Sequence, residues 1–321
     1  MVQSDGGTRV RVLVTGGAGF IGANLCSALS ASGVDVVALD DLSTGSKDNL
    51  RGVAVEFVEG TILDAAALDH VARGADAIVH LAARPSVPRS LADPMASHVA
   101  NATGTVEVLE AARRADHVPH VIVASSSSVY GADPRLPERE DLPTAPLSPY
   151  GASKLAAESY ALAYQHSFGL PVLAFRFFNV FGPLQDAGHA YAAVVPAFVS
   201  AALAGEPLVI HGDGHQTRDF TFVGTVATLL ADALARRVTC LDPVNLAFGT
   251  RTEILELAGL VSDEVGVPLA VEHAEARRGD VRHSQADSTR VRALFPDVAP
   301  VALVEALRAT VAWFRAERAA G

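Results

Sequence analysis

A β-branched, apolar run over residues 9–15 stops at Gly16-Gly17-Ala18-Gly19-Phe20-Ile21-Gly22, and residues 23–32 then carry the spacing of a helix ending near Gly33. Strand, glycine turn and helix in direct succession restrict the fold more than any other stretch. Lacking side chains, the glycines let backbone approach closely, and the helix start leaves amides without intrahelical partners. Residues 34–40 form a second apolar run that ends in two carboxylates, Asp40 and Asp41. Further strands are predicted at 53–58, 77–81, 120–124 and 172–177, separated by helical stretches at 65–73, at 93–114 and from Tyr150 onward. Strands apolar along their whole length need cover on both faces, so this alternation predicts an α/β fold with a doubly wound parallel sheet.

After Phe178 the rhythm loosens. A helix over 192–204, a strand at 208–210 and a glycine-containing loop at 212–216 precede two segments, 220–237 and 244–248, that can rejoin the first sheet. The expected organisation is a Rossmann domain over 9–180, joined by about 220–250, with a smaller C-terminal substrate-binding lobe from 181–219 and 251–321. Half of the 321 residues are apolar, enough to fill two cores. A formal charge of −11 argues against nucleic acid or an anionic membrane as partner, so a phosphate ligand would need local arginines. Cys26 and Cys240 are the two cysteines and lack metal-ligand spacing, so no metal site is expected. The first eight residues are polar, and no apolar run of about eighteen residues occurs, which leads to the expectation of a cytoplasmic protein.

Gly16, Gly19 and Gly22 suit a pyrophosphate at a helix N-terminus, whose amides and dipole favour anions. Asp40 ends the next strand, where a ribose-binding carboxylate belongs; it would repel a 2′-phosphate, so NAD is expected rather than NADP. Much later, Tyr150 and Lys154 stand four residues apart at the start of a helix and so share one face. A fixed ammonium beside a phenol favours the phenolate and makes it a proton acceptor.

With Gly16 to Gly22 and the Tyr150/Lys154 pair go further blocks, in order: His80-Leu81-Ala82-Ala83, Ser125 to Gly131, Arg176 to Pro183, Arg218-Asp219-Phe220 and Arg277-Arg278-Gly279-Asp280. On these residues the chain resembles an extended short-chain dehydrogenase/reductase of the UDP-glucose (UDP-galactose) 4-epimerase family. The resemblance covers nearly the whole sequence. It implies that Gly16, Gly19, Phe20, Ile21 and Gly22 hold the NAD pyrophosphate and Asp40 the adenosine ribose. Asp41, Ser43, Thr44 and Gly45 would form the wall beside it, Thr61 and Ile62 the adenine pair, and Leu81, Ala82 and Ala83 the floor under the nicotinamide half. Asn101 would support that strand end, and Phe178 completes the cofactor set. Thr61 departs from the usual Asp.

Ser126, Tyr150 and Lys154 would be the catalytic group. Tyr150, directly or through Ser126, would take the proton of the sugar's 4-hydroxyl while hydride leaves C4; Lys154 would hold the nicotinamide ribose and keep the phenol's pKa low. The resulting 4-ketose must turn over and take hydride back on its other face, so the nucleotide should carry most of the affinity. By resemblance, Arg218 and Arg277 would bind the diphosphate, Asn179 would lie near it, and Asp280 would take the uridine ribose. Val194, Val209 and His211 would wall the uracil and ribose. Ser86 and Ser127 join the substrate set, and Ser284 falls at the gate position, where a small residue would leave room for a 2-acetamido group.

The relatives divide on the residues after Ser126. Dehydratases and UDP-glucuronate decarboxylases place an acid one or two positions beyond it, whereas this chain has Ser127 and Ser128. UDP-glucuronate epimerases tend to carry Thr and Arg where Asn179 and Leu184 stand. A non-catalytic NAD-binding protein would be expected to lose Tyr150 or Lys154. The sequence therefore leads to the expectation of a UDP-hexose 4-epimerase, accepting UDP-GlcNAc and UDP-GalNAc besides the plain hexoses. A homodimer built on the helices near 93–114 and 150–168 is expected.

Overall fold

A computed structural model of the protein describes residues 9–133, 135–188, 192–268, 270–276 and 281–320. The first half alternates as the sequence predicts: β1 (Arg11–Thr15), α1 (Phe20–Ala31), β2 (Asp35–Asp40), β3 (Glu56–Glu59), α2 (Ala65–Ala72) and β4 (Ala77–His80). Then come α3 (Val87–Ala92), α4 (Pro94–His98), α5 (Gly104–Arg114), β5 (His120–Ser126), α6 (Pro149–Phe168) and β6 (Val172–Phe177). Beyond them lie β7 (Asn179–Phe181), α7 (Val194–Ala204), β8 (Leu208–His211), β9 (Thr217–Arg218), β10 (Phe220–Phe222), α8 (Val223–Ala235) and β11 (Val244–Leu246). The chain closes with β12 (Thr252–Glu253), α9 (Ile254–Val265), β13 (Val271–Ala274), α10 (Thr289–Leu294) and α11 (Leu303–Ala320).

Among the described residues, seven strands form one sheet in the order β11-β6-β5-β4-β1-β2-β3. Every neighbouring pair in it is parallel. The pleat of β1 sends Val12 and Val14 to one face, against Leu25, Cys26 and Leu29 of α1 and Leu229 and Leu230 of α8. Leu13 points to the other face, with Leu68 of α2 and Val108 and Leu109 of α5. Both faces are thus covered, which is why the inner strands are largely apolar, whereas β3 at the edge keeps Glu56 and Glu59 exposed.

The helical stretch expected at 93–114 is one run with a π-helical turn, Val99–Thr103, between α4 and α5. Gly104 follows it because a Cβ there would lie 2.4 Å from Ile62 Cδ1. A separate core joins Phe198 and Val199 of α7, Leu208 and Ile210 of β8, Leu257 and Val261 of α9, and Leu307 and Val311 of α11. Three short ladders, β7 with β10, β9 with β12 and β8 with β13, border that core.

Candidate active site

β1 and β4 are adjacent at the point where the strand order reverses, and the carboxyl ends of the strands on either side open on one cleft of about 870 Å³. Gly16 leaves β1 with φ +71° and donates its N–H to Leu39 O at 2.8 Å. A Cβ on Gly16 would lie 2.7 Å from Ala82 N, and one on Gly22 would lie 2.1 Å from Gly16 O. Turn and helix start are therefore in backbone contact that no larger residue permits. α1 begins after Gly19 without a side-chain cap, and Phe20, Ile21 and Gly22 line the cleft, so its first amides are available to an anion there.

Asp40 is buried at the end of β2. Its carboxylate accepts from Ala18 N at 3.0 Å and Leu42 N at 2.8 Å. Burial pushes its pKa up, while these backbone donors pull the other way. Asp40 thus ties the glycine turn to β2 as well as lining the cleft. Asp41 accepts from Ser43 N at 2.9 Å and Ser43 Oγ at 2.6 Å, which shapes the wall that Thr44 continues. Thr61 and Ile62 line the same end, with Thr61 Oγ1 accepting from Leu63 N at 3.3 Å. Gly45 is not a lining residue; a Cβ there would come within 2.9 Å of Ala18 backbone.

Leu81, Ala82 and Ala83 form part of the wall next to the turn. Beneath them His80 is buried, with Nδ1 2.8 Å from Thr15 Oγ1 and Nε2 2.9 Å from Thr105 Oγ1. Burial first, then the charge of Lys154, lowers its pKa to about 3, so the ring is neutral. Asn101 lies behind the cleft. Its Oδ1 accepts from Arg84 N at 2.7 Å, and its Nδ2 donates to Arg84 O at 3.2 Å and Ser153 Oγ at 2.9 Å. It braces the wall against the helix that carries Lys154.

That helix starts cleanly. Ser148 Oγ accepts from Gly151 N at 3.1 Å, and Pro149 occupies the first turn, where a missing N–H costs nothing. Tyr150 and Lys154 then line the cleft opposite Ser126. Lys154 is buried, donates from Nζ to Ala124 O at 2.9 Å, and has its pKa lowered by burial to about 8. Tyr150 hydrogen-bonds Ser126, whose Oγ also lies 2.9 Å from Ser128 Oγ. The sequence leads to the expectation of a phenol with a low pKa, and here the structure differs. Burial raises the pKa of Tyr150, opposed by the Ser126 hydrogen bond. Desolvation penalises phenolate and ammonium alike.

Among the described lining residues the carboxylates are Asp40 and Asp41, at the end away from Ser126. Arg84, Arg89, Phe177 and Gln185 also line the cleft, alongside Phe178. No spacing rule singles out the first four, although the two arginines flank the Ser86 segment.

The substrate set is less compact. Asn179 N donates to Asp219 O at 3.2 Å, beside Arg218, and Ser284 N donates to Thr217 O at 3.1 Å, so Asn179, Arg218 and Ser284 converge around β9. Ser284 is buried, with Oγ donating to Glu138 at 3.0 Å. His211 and half-exposed Val209 lie on β8; His211 O accepts from Gln216 Nε2 at 2.7 Å, which links that strand to the β9 cluster. Val194 opens α7. Ser86 caps α3 with φ +93°, and Ser127 sits in the turn after β5. None of these eight lines the cleft as described, and Arg277 and Asp280 lie outside the described residues.

The profile of the NAD-dependent epimerase/dehydratase family matches residues 12–247. The chain belongs to that family. It is 40% identical to a UDP-glucose 4-epimerase from Mycolicibacterium smegmatis over 95% of this chain and 99% of the relative. It is 34% identical to a dTDP-glucose 4,6-dehydratase from Streptomyces niveus, over 97% and 94%. Among solved structures, a UDP-N-acetylglucosamine 4-epimerase from Methanobrevibacter ruminantium, in complex with UDP-N-acetylmuramic acid, superposes with a TM-score of 0.90 at 35% identity, covering 97% of this chain and 99% of that one. The protein is accordingly an NAD-dependent nucleotide-sugar epimerase/dehydratase with a Rossmann-type sheet. The glycine turn fits NAD on its own geometry, since Gly16 and Gly22 let the turn and the helix start pack backbone to backbone, which keeps the uncapped first amides of α1 at the cleft.

Proposed function

We propose that this family member is a UDP-hexose 4-epimerase, interconverting UDP-glucose and UDP-galactose and also taking UDP-GlcNAc and UDP-GalNAc. One observation carries the reading: the reactive end of the cleft offers a hydroxyl, a phenol and an amine, and the lining carboxylates stand at the other end. Elimination of water needs a further acid or base at C5 and C6. Reversible oxidation at C4 needs one proton acceptor that later gives the proton back.

In this reading the amides at Gly19 to Gly22 hold the pyrophosphate of NAD, Asp40 its adenosine ribose and Lys154 its nicotinamide ribose. NAD supplies the site that accepts hydride from C4 and returns it. The positive charges of Lys154 and of bound NAD would offset the burial that raises the pKa of Tyr150, so that Tyr150 as phenolate would accept the 4-hydroxyl proton, with Ser126 beside it as a second oxygen for that proton to move through. Ser126 also hydrogen-bonds the substrate oxygen, with Ser128 holding its rotamer. Arg218 and Arg277 anchor the diphosphate, with Asn179 beside it, so the ring can turn while the nucleotide stays. Buried Ser284 leaves space for the 2-acetamido group.

The substrate lobe from 181–219 and 251–321, a cytoplasmic location and a homodimer belong to the same proposal. Met95 on α4 and Tyr160 and Phe168 on α6 are exposed, which suits helix pairing between copies. A monomeric mass by light scattering would refute the dimer.

The test is incubation of the enzyme with each UDP-sugar and chromatographic separation of products. The 4-epimer without net redox is expected from all four, and Tyr150→Phe should abolish turnover while nucleotide binding survives. A dehydrated 4-keto-sugar would establish the dehydratase reading that the Streptomyces relative suggests. No product from any sugar would refute catalysis, and failure with the acetamido pair alone would refute the broad range.

A further inference from the structure

A line of hydrogen bonds runs from the end of β1 to the first turn of α6. Thr15, His80, Thr105, Asn101 and Ser153 carry it, and all five are buried. Ala82 N donates to Thr15 Oγ1 at 3.4 Å, and Thr15 Oγ1 lies 2.8 Å from His80 Nδ1. Across the ring, His80 Nε2 lies 2.9 Å from Thr105 Oγ1, which donates to Asn101 O at 2.6 Å. Asn101 sits in the π-helical turn between α4 and α5, a kind of turn that gathers at functional sites. Its Nδ2 donates to Ser153 Oγ at 2.9 Å, and Ser153 Oγ donates to Tyr150 O at 2.8 Å.

Each hydroxyl has one proton to give, so the direction of the line is fixed. Thr105 gives its proton to Asn101 O and accepts from His80, which makes Nε2 the protonated nitrogen. The ring is neutral, so Nδ1 is the acceptor and Thr15 its donor. Ser153 gives its proton to Tyr150 O and accepts from Asn101. One arrangement of protons thus satisfies all five side chains, and a buried network complete in this way is rigid. Its two ends are places that the reaction uses. Thr15 directly precedes Gly16, where the glycine turn begins, and Tyr150 carries the phenol. Tyr150 and Lys154 already tie α6 to β5, through Ser126 and through Ala124 O at 2.9 Å. The buried line ties the same turn of α6 to β1 and β4, the strands that carry the cofactor seat.

We infer that His80, Thr105, Asn101 and Ser153 are positioning residues that register the first turn of α6 against the end of β1, and so hold the Tyr150 phenol in place relative to NAD. The inference rests on the reading of Tyr150 as the proton acceptor. None of the four needs to touch the reacting atoms. Hydride and proton leave the same carbon and its oxygen, so the nicotinamide and the phenol must keep one mutual geometry, and they stand on different strands and helices. The ties to β5 fix the phenol to Ser126 alone. The line through His80 and Asn101 fixes it to the seat. A misplacement of 1 Å between reacting groups costs about a hundredfold in rate, and the smaller slip that one lost bond allows should cost about tenfold.

The experiment is steady-state epimerisation of UDP-glucose by the NAD-loaded enzyme and by Ser153→Ala, Thr105→Val, Thr105→Ser and the double variant Ser153→Ala/Thr105→Val. Each of the first two should lose about tenfold in kcat, with KM and NAD affinity within about threefold of wild type. Thr105→Ser keeps the hydroxyl and should restore kcat. The double variant should be no slower than the worse single one, because a line broken once is already broken. A kcat within about twofold of wild type in both folded single variants overturns the inference, as do losses that multiply in the double variant or a Thr105→Ser protein as slow as Thr105→Val. Nitrogen NMR of the histidine-labelled wild type, with the His80 signals assigned by their loss in His80→Gln, tests the line without activity and without any variant that must keep its fold at Ser153 or Thr105. Nε2 should be protonated and Nδ1 bare at pH 7, and the opposite tautomer or a charged ring overturns the inference. Full activity in Tyr150→Phe would instead remove the reading of Tyr150, and the inference with it, while leaving the tautomer as it is.

Discussion

Gly22→Ala tests the cofactor seat at its tightest point. The added methyl would start 2.1 Å from Gly16 O and 2.9 Å from Gly16 C and Gly17 Cα, where ordinary contact begins at 3.4 Å. All three atoms are backbone. Gly16 cannot retreat easily, because its N–H is bonded to Leu39 O at 2.8 Å and Ala82 N lies where its own Cβ would be. The first turn of α1 must therefore tilt away from the glycine turn by about an ångström. Overpacking of this kind costs about 1–3 kcal/mol of stability. The larger effect is on NAD, since the amides aimed at the pyrophosphate lose their alignment. Two hydrogen bonds to a charged group at about 1.5–3 kcal/mol each amount to at least a hundredfold loss in affinity. Calorimetric titration with NAD, alongside thermal melting with and without it, reads both quantities. NAD binding within about threefold of wild type by a folded Gly22→Ala protein would refute the account of the seat.

Gly259→Ala should act in the opposite sense, because it stands exposed in α9 with open space where the Cβ would be; about 0.5–1 kcal/mol of added stability is expected in urea unfolding. Glu158→Ala should destabilise by about 3–5 kcal/mol, since it strands the buried Arg176 guanidinium that Glu158 grips at 2.7 and 2.9 Å and also frees Ser125 Oγ. A loss under about 1 kcal/mol would mean that Arg176 finds another partner. His80, neutral in the fold with a pKa near 3 and protonated in the unfolded chain below its ordinary 6.5, contributes stability that is full above pH 6.5 and drains as pH falls toward 3. Wild type should therefore lose about 1.4 kcal/mol per pH unit relative to His80→Gln over that window, and parallel stability curves would refute the buried neutral ring.

The parts of the site that the sequence displays are those formed by neighbours in the chain. Gly16 to Gly22 is one turn, and Tyr150 and Lys154 share one helical face, so spacing alone exposes them. Asn101, which braces Arg84 and Ser153, was suggested by resemblance, but no local pattern shows that its amide reaches 52 residues along the chain. Glu138 and Ser284 are 146 residues apart, and nothing in either local sequence announces the other. The raised pKa of Tyr150 depends on how tightly the cleft closes around it, a property of packing rather than of residue order. The continuously apolar strands, by contrast, made the two-faced sheet legible from the start.

β11 pairs with β6, but the whole of residues 178–243 intervenes before it emerges from the ribosome. During that interval Val172 to Phe177 forms an open edge of a parallel sheet, with buried Phe175 lacking part of its final cover, Phe295, which comes later still. Such non-local closure is slow and leaves apolar edges available to other chains. Overexpression at reduced temperature, or with chaperones that shield nascent edges, should accordingly raise the soluble yield of this protein more than any change made at the cleft.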